Sequence, residues 1–315
     1  MRAAGIGAVA LIIAASACTV THPLDDLKGG ACRIDGVKNG RETAVDCGGG
    51  CSARCDLGQT CFTGTDCQTG TCIPLSSGGS VCGCAIGMIE VRPIAPGLSS
   101  FCIDSTEVTN GAYAEFVNNC GSAPCAGVPL PKVCSDKTSF AQDSGCASSF
   151  GDVARNESSP IACVDWCDAF AYCAFVGKRL CGPGVVREAT ESEWVNACLD
   201  GTAENVYPYG VNYDPCKCNG NDYTVTCGPN DPPQSPGAIN VSSMYTCRGR
   251  AQIYDLSGNV WEWQQECRNP GMPDSDCTVR GGAFDSNADQ LRCKSADSQS
   301  RLTAWPNVGF RCCSG

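Results

Sequence analysis

The first stretch with helical spacing of apolar residues follows Thr109. Tyr113, Phe116 and Val117 recur at intervals that place them on one face of a helix. Thr109 is a residue type that accepts a hydrogen bond from the first helical turn. The pattern therefore predicts a helix that Thr109 caps and that runs to about Asn118.

The clearest helical pattern covers residues 165–176. Trp166, Phe170 and Cys173 lie at positions i, i+4 and i+7, which gives one apolar face. Gly177 follows where a glycine in the left-handed conformation commonly ends a helix. We expect an α-helix over this segment.

A third helix is predicted where residues 190–193 read Thr-Glu-Ser-Glu, a capping-box pattern that leads through Trp194 and Cys198. Residues 200–313 are rich in Gly, Pro, Asn and Asp, with short strand-like pieces such as 278–280. This pattern favours a loop-rich α+β domain held together by disulfides.

The N-terminus carries an apolar run at residues 8–15, after Met1 and Arg2, which is too short for a stable membrane span. It predicts a signal peptide over residues 1–17. The Ala-Ser-Ala-Cys sequence ending at Cys18 fits either signal-peptidase cleavage or a lipobox with Cys18 as the lipidated residue. Lipidation leaves an even number of cysteines for pairing. We therefore expect a lipid-anchored envelope protein, in the outer membrane or on the cell surface, and otherwise a periplasmic or secreted one.

Composition narrows the classes of protein. The chain has 29 cysteines and one histidine, His22, in 315 residues. So many cysteines are typical of a disulfide-linked protein in an oxidising compartment. The one histidine lies near the N-terminus. The body of the chain therefore cannot form a Ser-His-Asp triad or a metal site with several histidines. The net charge of −11 argues against nucleic acid as a partner.

Cysteine spacing divides the exported chain into a tether (18–31), a cysteine-rich module (32–84) and a larger domain (85–315). The module has nine cysteines and few large apolar residues, so disulfides are favoured over zinc to hold it together. It resembles short cysteine-rich modules of secreted myxobacterial proteins, a resemblance that implies no activity. An odd number predicts that at least one of its cysteines pairs outside it. Residues 74–80, Pro-Leu-Ser-Ser-Gly-Gly-Ser, read as a linker.

Eight blocks of the larger domain, in order, resemble the sulfatase-modifying-factor family, whose founding member is the formylglycine-generating enzyme. The blocks are residues 103–117, 160–173, 177–180, 190–194, 207–210, 256–263, 280–284 and 309–312. The resemblance covers about 225 residues and implies an irregular α+β fold related to the C-type lectin fold. Relative to the family, residues 181–189 are an insertion, which we interpret as a surface loop.

The family's oxidases hold Cu(I) with two cysteines after the Gly281-Gly282 pair. Soft thiolates select Cu(I), whereas oxygen ligands do not. Here the segment has no cysteine before Cys293, and Ser286 lies near the position of the first copper cysteine. We therefore predict that copper is not a cofactor and that formylglycine-generating activity is absent.

The resemblance also implies a calcium site over residues 255–262. Asp255 and Glu262 would supply carboxylate oxygens, and Gly258 and Val260 backbone carbonyls, a donor set that suits Ca²⁺. The alternative is that the flanking tryptophans are core residues and Glu262 is a surface acid. A second calcium site would involve Asn219.

Two disulfides are implied in the same way, Cys173 with Cys312 and Cys198 with Cys293. Three functions remain open. The first, which we favour, is a non-catalytic domain that binds an extended peptide or a glycan through the family's substrate groove. The second is an active copper-dependent oxidase acting on a cysteine of a protein substrate, with displaced ligands. The third is a structural envelope protein in which the module of residues 32–84 matters most.

Overall fold

The computed structural model describes residues 32, 34–94, 97–120, 123, 125–148, 156–182, 188–223, 227 and 237–315. The predicted signal peptide, the lipidation site Cys18 and the tether to residue 31 lie outside these ranges. No helix among the described residues has the length and apolar character needed to cross a membrane.

The described chain is built of short strands and short helices, with most of the helices between β4 and β6. In order they are β1 (Cys72–Pro74), β2 (Ser80–Cys82), β3 (Met88–Val91), β4 (Phe101–Asp104), α1 (Asn110–Cys120), α2 (Ser144–Ser148), α3 (Trp166–Phe175), β5 (Arg179–Leu180), α4 (Glu193–Leu199), β6 (Trp261–Cys267), β7 (Asp276–Arg280), β8 (Ala296–Ser300), β9 (Val308–Gly309) and β10 (Cys312–Ser314). Between α4 and β6 lie about sixty residues without a named helix or strand among those described. The architecture is the loop-rich α+β one expected from the sequence.

Two four-stranded sheets organise the larger domain. The first has the strand order β3-β4-β10-β5 and the second β8-β7-β6-β9. The C-terminal strand β10 pairs antiparallel with both β4 and β5. This pairing places the chain's last residues between β4 and β5, so the C-terminal strand closes the first sheet. The predicted strand at residues 278–280 is part of β7, paired with β6 and β8.

The first two predicted helices form as expected. The Thr109 hydroxyl accepts a hydrogen bond from the backbone nitrogen of Ala112 at 3.2 Å, which caps α1. Asp165 caps α3 by accepting from the backbone nitrogen of Asp168, and Gly177 has a φ of +73° just beyond the helix. Lys137 binds Asp165 at 2.5 Å and Asp168 at 2.7 Å, so a single cation faces both carboxylates at this helix start.

The third predicted helix begins later than expected. Residues 189–191 form one 3-10 turn, and α4 starts at Glu193 with Ser192 as its cap. The Ser192 hydroxyl accepts from the backbone nitrogen of Val195, and the backbone carbonyl of Thr190 accepts from Asn196 instead. The prediction that Thr190 caps this helix is therefore wrong, and the cap is Ser192, two residues later. The Ser192 hydroxyl is nearer the first turn and accepts from its free N–H group.

Aromatic side chains join α1 and α3 to the C-terminal segment. The rings of Tyr113, Phe116, Tyr172 and Phe310 contact one another at centroid distances of 5.4 to 6.2 Å. All four residues are buried. Stacked and edge-on ring contacts of this kind add to the stabilisation from apolar burial.

Fourteen disulfides use all 28 cysteines from Cys32 to Cys313. Four lie within the cysteine-rich module, and Cys84 bonds to Cys102 on β4. The module thus shares one cysteine with the larger domain, as its odd number predicted. Residues 74–80 are not a linker between domains. They form the β1–β2 hairpin inside the module, where Pro74 pairs with Ser80 and Leu75 exchanges hydrogen bonds with the following glycines.

Cys173 bonds to Cys312 and Cys198 to Cys293, the two pairs implied by the family resemblance. Cys181 bonds to Cys313, directly beside the first of these. The start of the 181–189 segment is therefore buried next to β5 and β10 rather than at the surface. Residues 183–187 lie outside the described part of the chain.

Candidate functional site

The 255–262 loop, expected to bind calcium, connects the long irregular segment to β6. Asp255, Gly258 and Asn259 have φ values of +58°, +79° and +64°, so the backbone turns tightly through left-handed conformations. A Cβ atom on Gly258 would lie 2.1 Å from the backbone oxygen of Asn219. Glycine is required here both for the conformation and for this close approach.

Glu262, at the end of this loop, is fully buried and not a surface acid. Its oxygens accept hydrogen bonds from Arg311 Nε at 2.9 and 2.8 Å, and Oε1 accepts from Arg311 Nη2 at 2.7 Å. Trp194 Nε1 donates to Glu262 Oε2 at 2.7 Å. Arg311 has 0 % side-chain exposure, so this ion pair lies entirely within protein.

Two further carboxylates complete a buried acidic cluster. Glu107 Oε1 accepts from Asn259 Nδ2 at 2.9 Å, while Glu107 Oε2 has no hydrogen-bond partner and lies 4.0 Å from Arg311 Nη2. Asp255 Oδ2 accepts from the backbone nitrogen of Ser242 at 2.6 Å. Burial, together with the nearby Asp255 carboxylate, raises the pKa of Glu107 well above its ordinary value. Burial also raises the pKa of Asp255 to about 6.

The charges of this cluster do not balance. Glu107, Asp255 and Glu262 are three acids facing one guanidinium, Arg311, whose pKa they raise although burial opposes its charge. A buried carboxylate without a partner costs free energy and is commonly neutralised by a proton or a bound cation. A proton shared in the hydrogen bond between the Asp255 and Glu107 side chains, or a bound cation, would reduce this excess of negative charge.

The individual donors fit calcium unequally. The two oxygens of Glu262 already accept four hydrogen bonds from Arg311 and Trp194, which uses the lone pairs a carboxylate offers. The unpartnered oxygen of Glu107 is the better placed acceptor for a hard cation. Asp255 and Glu107 are thus the carboxylates of this cluster that remain available to an ion, because Glu262 is held by Arg311.

Asn219, expected at a second calcium site, lies against the same loop. Its side-chain nitrogen donates to the Gly237 carbonyl at 3.2 Å and to Asn259 Oδ1 at 3.3 Å, and its backbone oxygen accepts from Asn259. The structure therefore brings Asn219 and the 255–262 loop together through Asn259.

Ser286 is buried in the turn after β7. Its hydroxyl accepts from the backbone nitrogen of Ala283 at 2.9 Å, and its backbone carbonyl accepts from Asn221. These contacts make it part of the turn's own hydrogen bonding. The next cysteine, Cys293, is bonded to Cys198.

Free thiols are absent from the cysteines that the structure describes, because each belongs to a disulfide. Cys61, Cys67 and Cys82 lie close enough together to suggest a metal site. Cys61 is bonded to Cys72, and Cys67 to Cys82, so these sulfurs are not thiolate ligands.

A groove of about 770 Å³ lies beside the long irregular segment, and we call it the polar groove. Its lining includes Asp200, Tyr209, Lys217, Tyr245, Arg248 and Arg250. Tyr209 stacks on Tyr207 at 5.5 Å, and the Tyr207 hydroxyl donates to the backbone carbonyl of Ala288 at 3.0 Å. This wall of the groove is therefore attached to the 283–293 segment that contains Ser286.

Sequence reasoning missed two members of the acidic cluster, Glu107 and Arg311. Both lie in the blocks that carry the family resemblance, after β4 and before β10 respectively. They are far from Glu262 in sequence, so spacing gave no indication of the contact. For Arg311 the signal available was a charged residue within the otherwise apolar block 309–312, which marks a position whose charge is paired inside the protein, whereas Glu107 lies in a polar block and gave no such signal.

An irregular α+β domain closed by its C-terminal strand, with a buried acidic loop before β6, defines a domain of the sulfatase-modifying-factor type. The family model described as "Sulfatase-modifying factor enzyme 1-like domain" matches residues 89–314, and the chain belongs to this FGE-sulfatase family.

Curated relatives include proteins named as formylglycine-generating enzymes and proteins named as inactive ones. The chain is 32% identical over 164 residues to "Inactive C-alpha-formylglycine-generating enzyme 2" of Mus musculus, a match that covers 49% of each protein. It is 25% identical over 276 residues to "Formylglycine-generating enzyme" of Bos taurus, covering 72% of the chain and 68% of that protein. The chain thus spans about half the length of the inactive relative.

Among solved structures, PvdO from Pseudomonas aeruginosa is similar over 78% of the chain and 97% of its own length. The TM-score is 0.46 and the sequence identity 17%.

Proposed function

We propose that this chain is a non-catalytic member of the family, which binds an extended peptide or a glycan. The observation that carries this proposal is the pairing of all 28 cysteines from Cys32 onward, together with Ser286 near the first copper position. The oxidase chemistry requires thiolates for Cu(I), and a disulfide sulfur supplies none. A relative named as an inactive formylglycine-generating enzyme is consistent with a non-catalytic role.

The polar groove is the binding surface in this proposal. It is open, large enough for several residues of a chain ligand, and attached through Tyr207 to the segment in which the oxidases carry copper. Loops rather than strands line it, as is common for binding sites held on a rigid scaffold. Losing the copper cysteines leaves such a scaffold able to bind without reacting.

Calcium, in this proposal, stabilises the fold and takes no part in chemistry. The support is the excess negative charge of the buried cluster and the unpartnered oxygen of Glu107. Asp255 and Glu107 would contribute carboxylate oxygens from two segments distant in sequence. An ion there would hold the 255–262 loop against the segment that follows β4.

The proposal also includes export and a lipid anchor at Cys18. Fourteen disulfides are expected only where thiols are oxidised. The anchor rests on the Ala-Ser-Ala-Cys sequence and on the even number of cysteines after it.

The experiment that tests the lack of catalysis is a Cu(I) titration of the oxidised protein, with the formylglycine-generating enzyme of Bos taurus as positive control. We expect no tight stoichiometric binding by this chain. A parallel incubation with a cysteine-containing sulfatase peptide, followed by mass spectrometry, should leave the thiol unconverted. Stoichiometric Cu(I) binding, or conversion of the thiol to an aldehyde, would refute the proposal.

A further inference from the structure

The polar groove has a charge opposite to that of the whole protein. The chain has 22 basic and 33 acidic residues, yet the groove is lined by three cations, Lys217, Arg248 and Arg250, and one acid, Asp200. A cluster of positive side chains attracts negatively charged ligands even when the rest of the protein surface is negative. The groove is therefore electrostatically suited to an anionic ligand.

The single acid of the groove is already occupied. Asp200 Oδ2 accepts from the backbone nitrogen of Arg250 at 2.6 Å and from its Nε at 3.3 Å, and Oδ1 accepts from the backbone nitrogen of Ala251 at 3.1 Å. Asp200 thus holds the loop and neutralises Arg250. It does not compensate the other two cations.

Arg248 and Lys217 have no carboxylate partner among the described residues. Arg248 Nε donates to the Tyr245 carbonyl at 3.0 Å and Nη1 to the Tyr254 hydroxyl at 3.2 Å, and its guanidinium lies over the Tyr254 ring. These neutral contacts fix the orientation of the guanidinium without cancelling its charge. Lys217 is half-buried at the groove wall, where its backbone carbonyl accepts from Thr246.

Two tyrosines give the groove flat apolar surfaces. Tyr245 is 61% exposed although its ring is large and apolar, and Tyr209 is held flat by stacking on Tyr207. The other lining residues are Thr, Asn, Gln, Gly and Pro, so the groove lacks aliphatic side chains that would form pockets for a peptide's apolar residues. None of the lining residues belongs to a named strand, so the groove offers no strand edge for an extended peptide to pair with.

We propose that the polar groove binds an anionic saccharide, with carboxylate or sulfate groups contacting Lys217 and Arg248 and a sugar ring lying on Tyr245. Arginine matches the planar, two-oxygen geometry of a carboxylate or sulfate, and exposed tyrosine suits the apolar face of a sugar ring. This inference rests on the proposed function, because it identifies the ligand class of the same groove.

The test is isothermal titration calorimetry on the full chain with its disulfides intact. The probes are a hexamer of galacturonic acid, a sulfated heparin hexasaccharide, neutral maltohexaose and a hexaglutamate peptide. The variants are Lys217→Gln, Arg248→Gln and Tyr245→Ala. Their matched controls are Lys294→Gln, Arg268→Gln and Phe62→Ala, which alter exposed residues outside the groove.

We expect at least one of the two acidic hexasaccharides to bind. The one that binds more tightly identifies carboxylate or sulfate as the preferred anionic group. Each groove variant should raise Kd about tenfold, the size expected for losing a charge-assisted or stacking contact. Each control should change Kd less than about twofold, because none of these residues lines the groove and an exposed charge outside it contributes little. Added salt should weaken binding, since the exposed charges become screened.

Three results would overturn the inference: maltohexaose binding as tightly as the acidic sugars, hexaglutamate binding more tightly than either, or no binding of either acidic sugar. Tighter hexaglutamate binding would assign the groove to acidic peptides and leave the non-catalytic binding function standing. Failure of the proposed function itself is registered separately, by Cu(I) binding and aldehyde formation.

Discussion

Two neighbouring disulfides, Cys173–Cys312 and Cys181–Cys313, should stabilise the domain in a strongly non-additive way. They connect almost the same two places in the chain, with sequence separations of 139 and 132 residues. All four cysteines have zero exposure. The perturbation is replacement of each pair by alanines, singly and together.

The magnitudes follow from the loops that each bond closes in the unfolded chain. While one of the two bonds remains, the other closes a ring of only about nine residues, which corresponds to about 2.6 kcal/mol in the loop-entropy relation. When one is already absent, the survivor closes a loop through Cys198–Cys293 of about 44 residues for Cys173–Cys312 or about 37 for Cys181–Cys313, which corresponds to about 4 kcal/mol in either case. Each single replacement should therefore cost about 2.6 kcal/mol and the double replacement about 6.6 kcal/mol, before any loss of packing.

The assay is equilibrium unfolding in guanidinium chloride, followed by tryptophan fluorescence, for the four members of the double-mutant cycle. The expected coupling is about 1.4 kcal/mol, which exceeds the scatter usual for independent sites. The control cycle combines Cys173–Cys312 with Cys267–Cys277, whose ten-residue loop lies off that path and should add independently. A coupling below about 0.5 kcal/mol in the first cycle, or an equal coupling in the control, would refute the loop-entropy reasoning.

Three more predictions concern charged groups. Glu262→Gln should lower the free energy of unfolding by about 1.5 to 3 kcal/mol because an amide replaces the carboxylate that accepts the hydrogen bonds of the buried Arg311 guanidinium. In the same denaturation assay Glu90→Gln, at the exposed pair with Arg92, should cost less than about 1 kcal/mol, and equal costs would contradict the assignment. Calcium should raise the melting temperature, and a chelator should lower it. Asp255→Ala should abolish this effect, whereas the control Asp297→Ala, at an exposed residue, should retain it. An unchanged calcium effect in Asp255→Ala would exclude this site. Burial, and next the Asp165 carboxylate, raise the pKa of Asp168 from 3.8 to about 7, so the folded state binds this proton more tightly than the unfolded state does. This contribution to stability should therefore be present at about pH 4 and be lost as the pH rises to about 7. A pH series of unfolding midpoints should show this loss in the original protein and not in Asp168→Asn. The same pH dependence in both proteins would contradict the prediction.

The sequence indicated the elements whose cause is local. Thr109 and Asp165 precede apolar faces at helical spacing, and the side-chain caps that they form depend on residues three positions away. The start of α4 was placed two residues early, because both Thr190 and Ser192 can cap and only the packed helix selects Ser192. Residues 74–80 have the composition of a linker, but the bond between Cys67 and Cys82 and the pairing of β1 with β2 make them a turn.

The lack of cysteines between Gly282 and Cys293 was visible in the sequence alone, because it concerns which atoms are present. The same is true of the single histidine, the membership of the family and the presence of two carboxylates in the 255–262 loop. The tertiary structure decided how these groups are used. It brought Glu107 and Arg311, more than 200 residues apart, to the same buried cluster and directed Arg311 onto Glu262. Charge balance in a buried site is a sum over groups that only the folded chain brings within a few ångströms, so spacing along the sequence does not determine it.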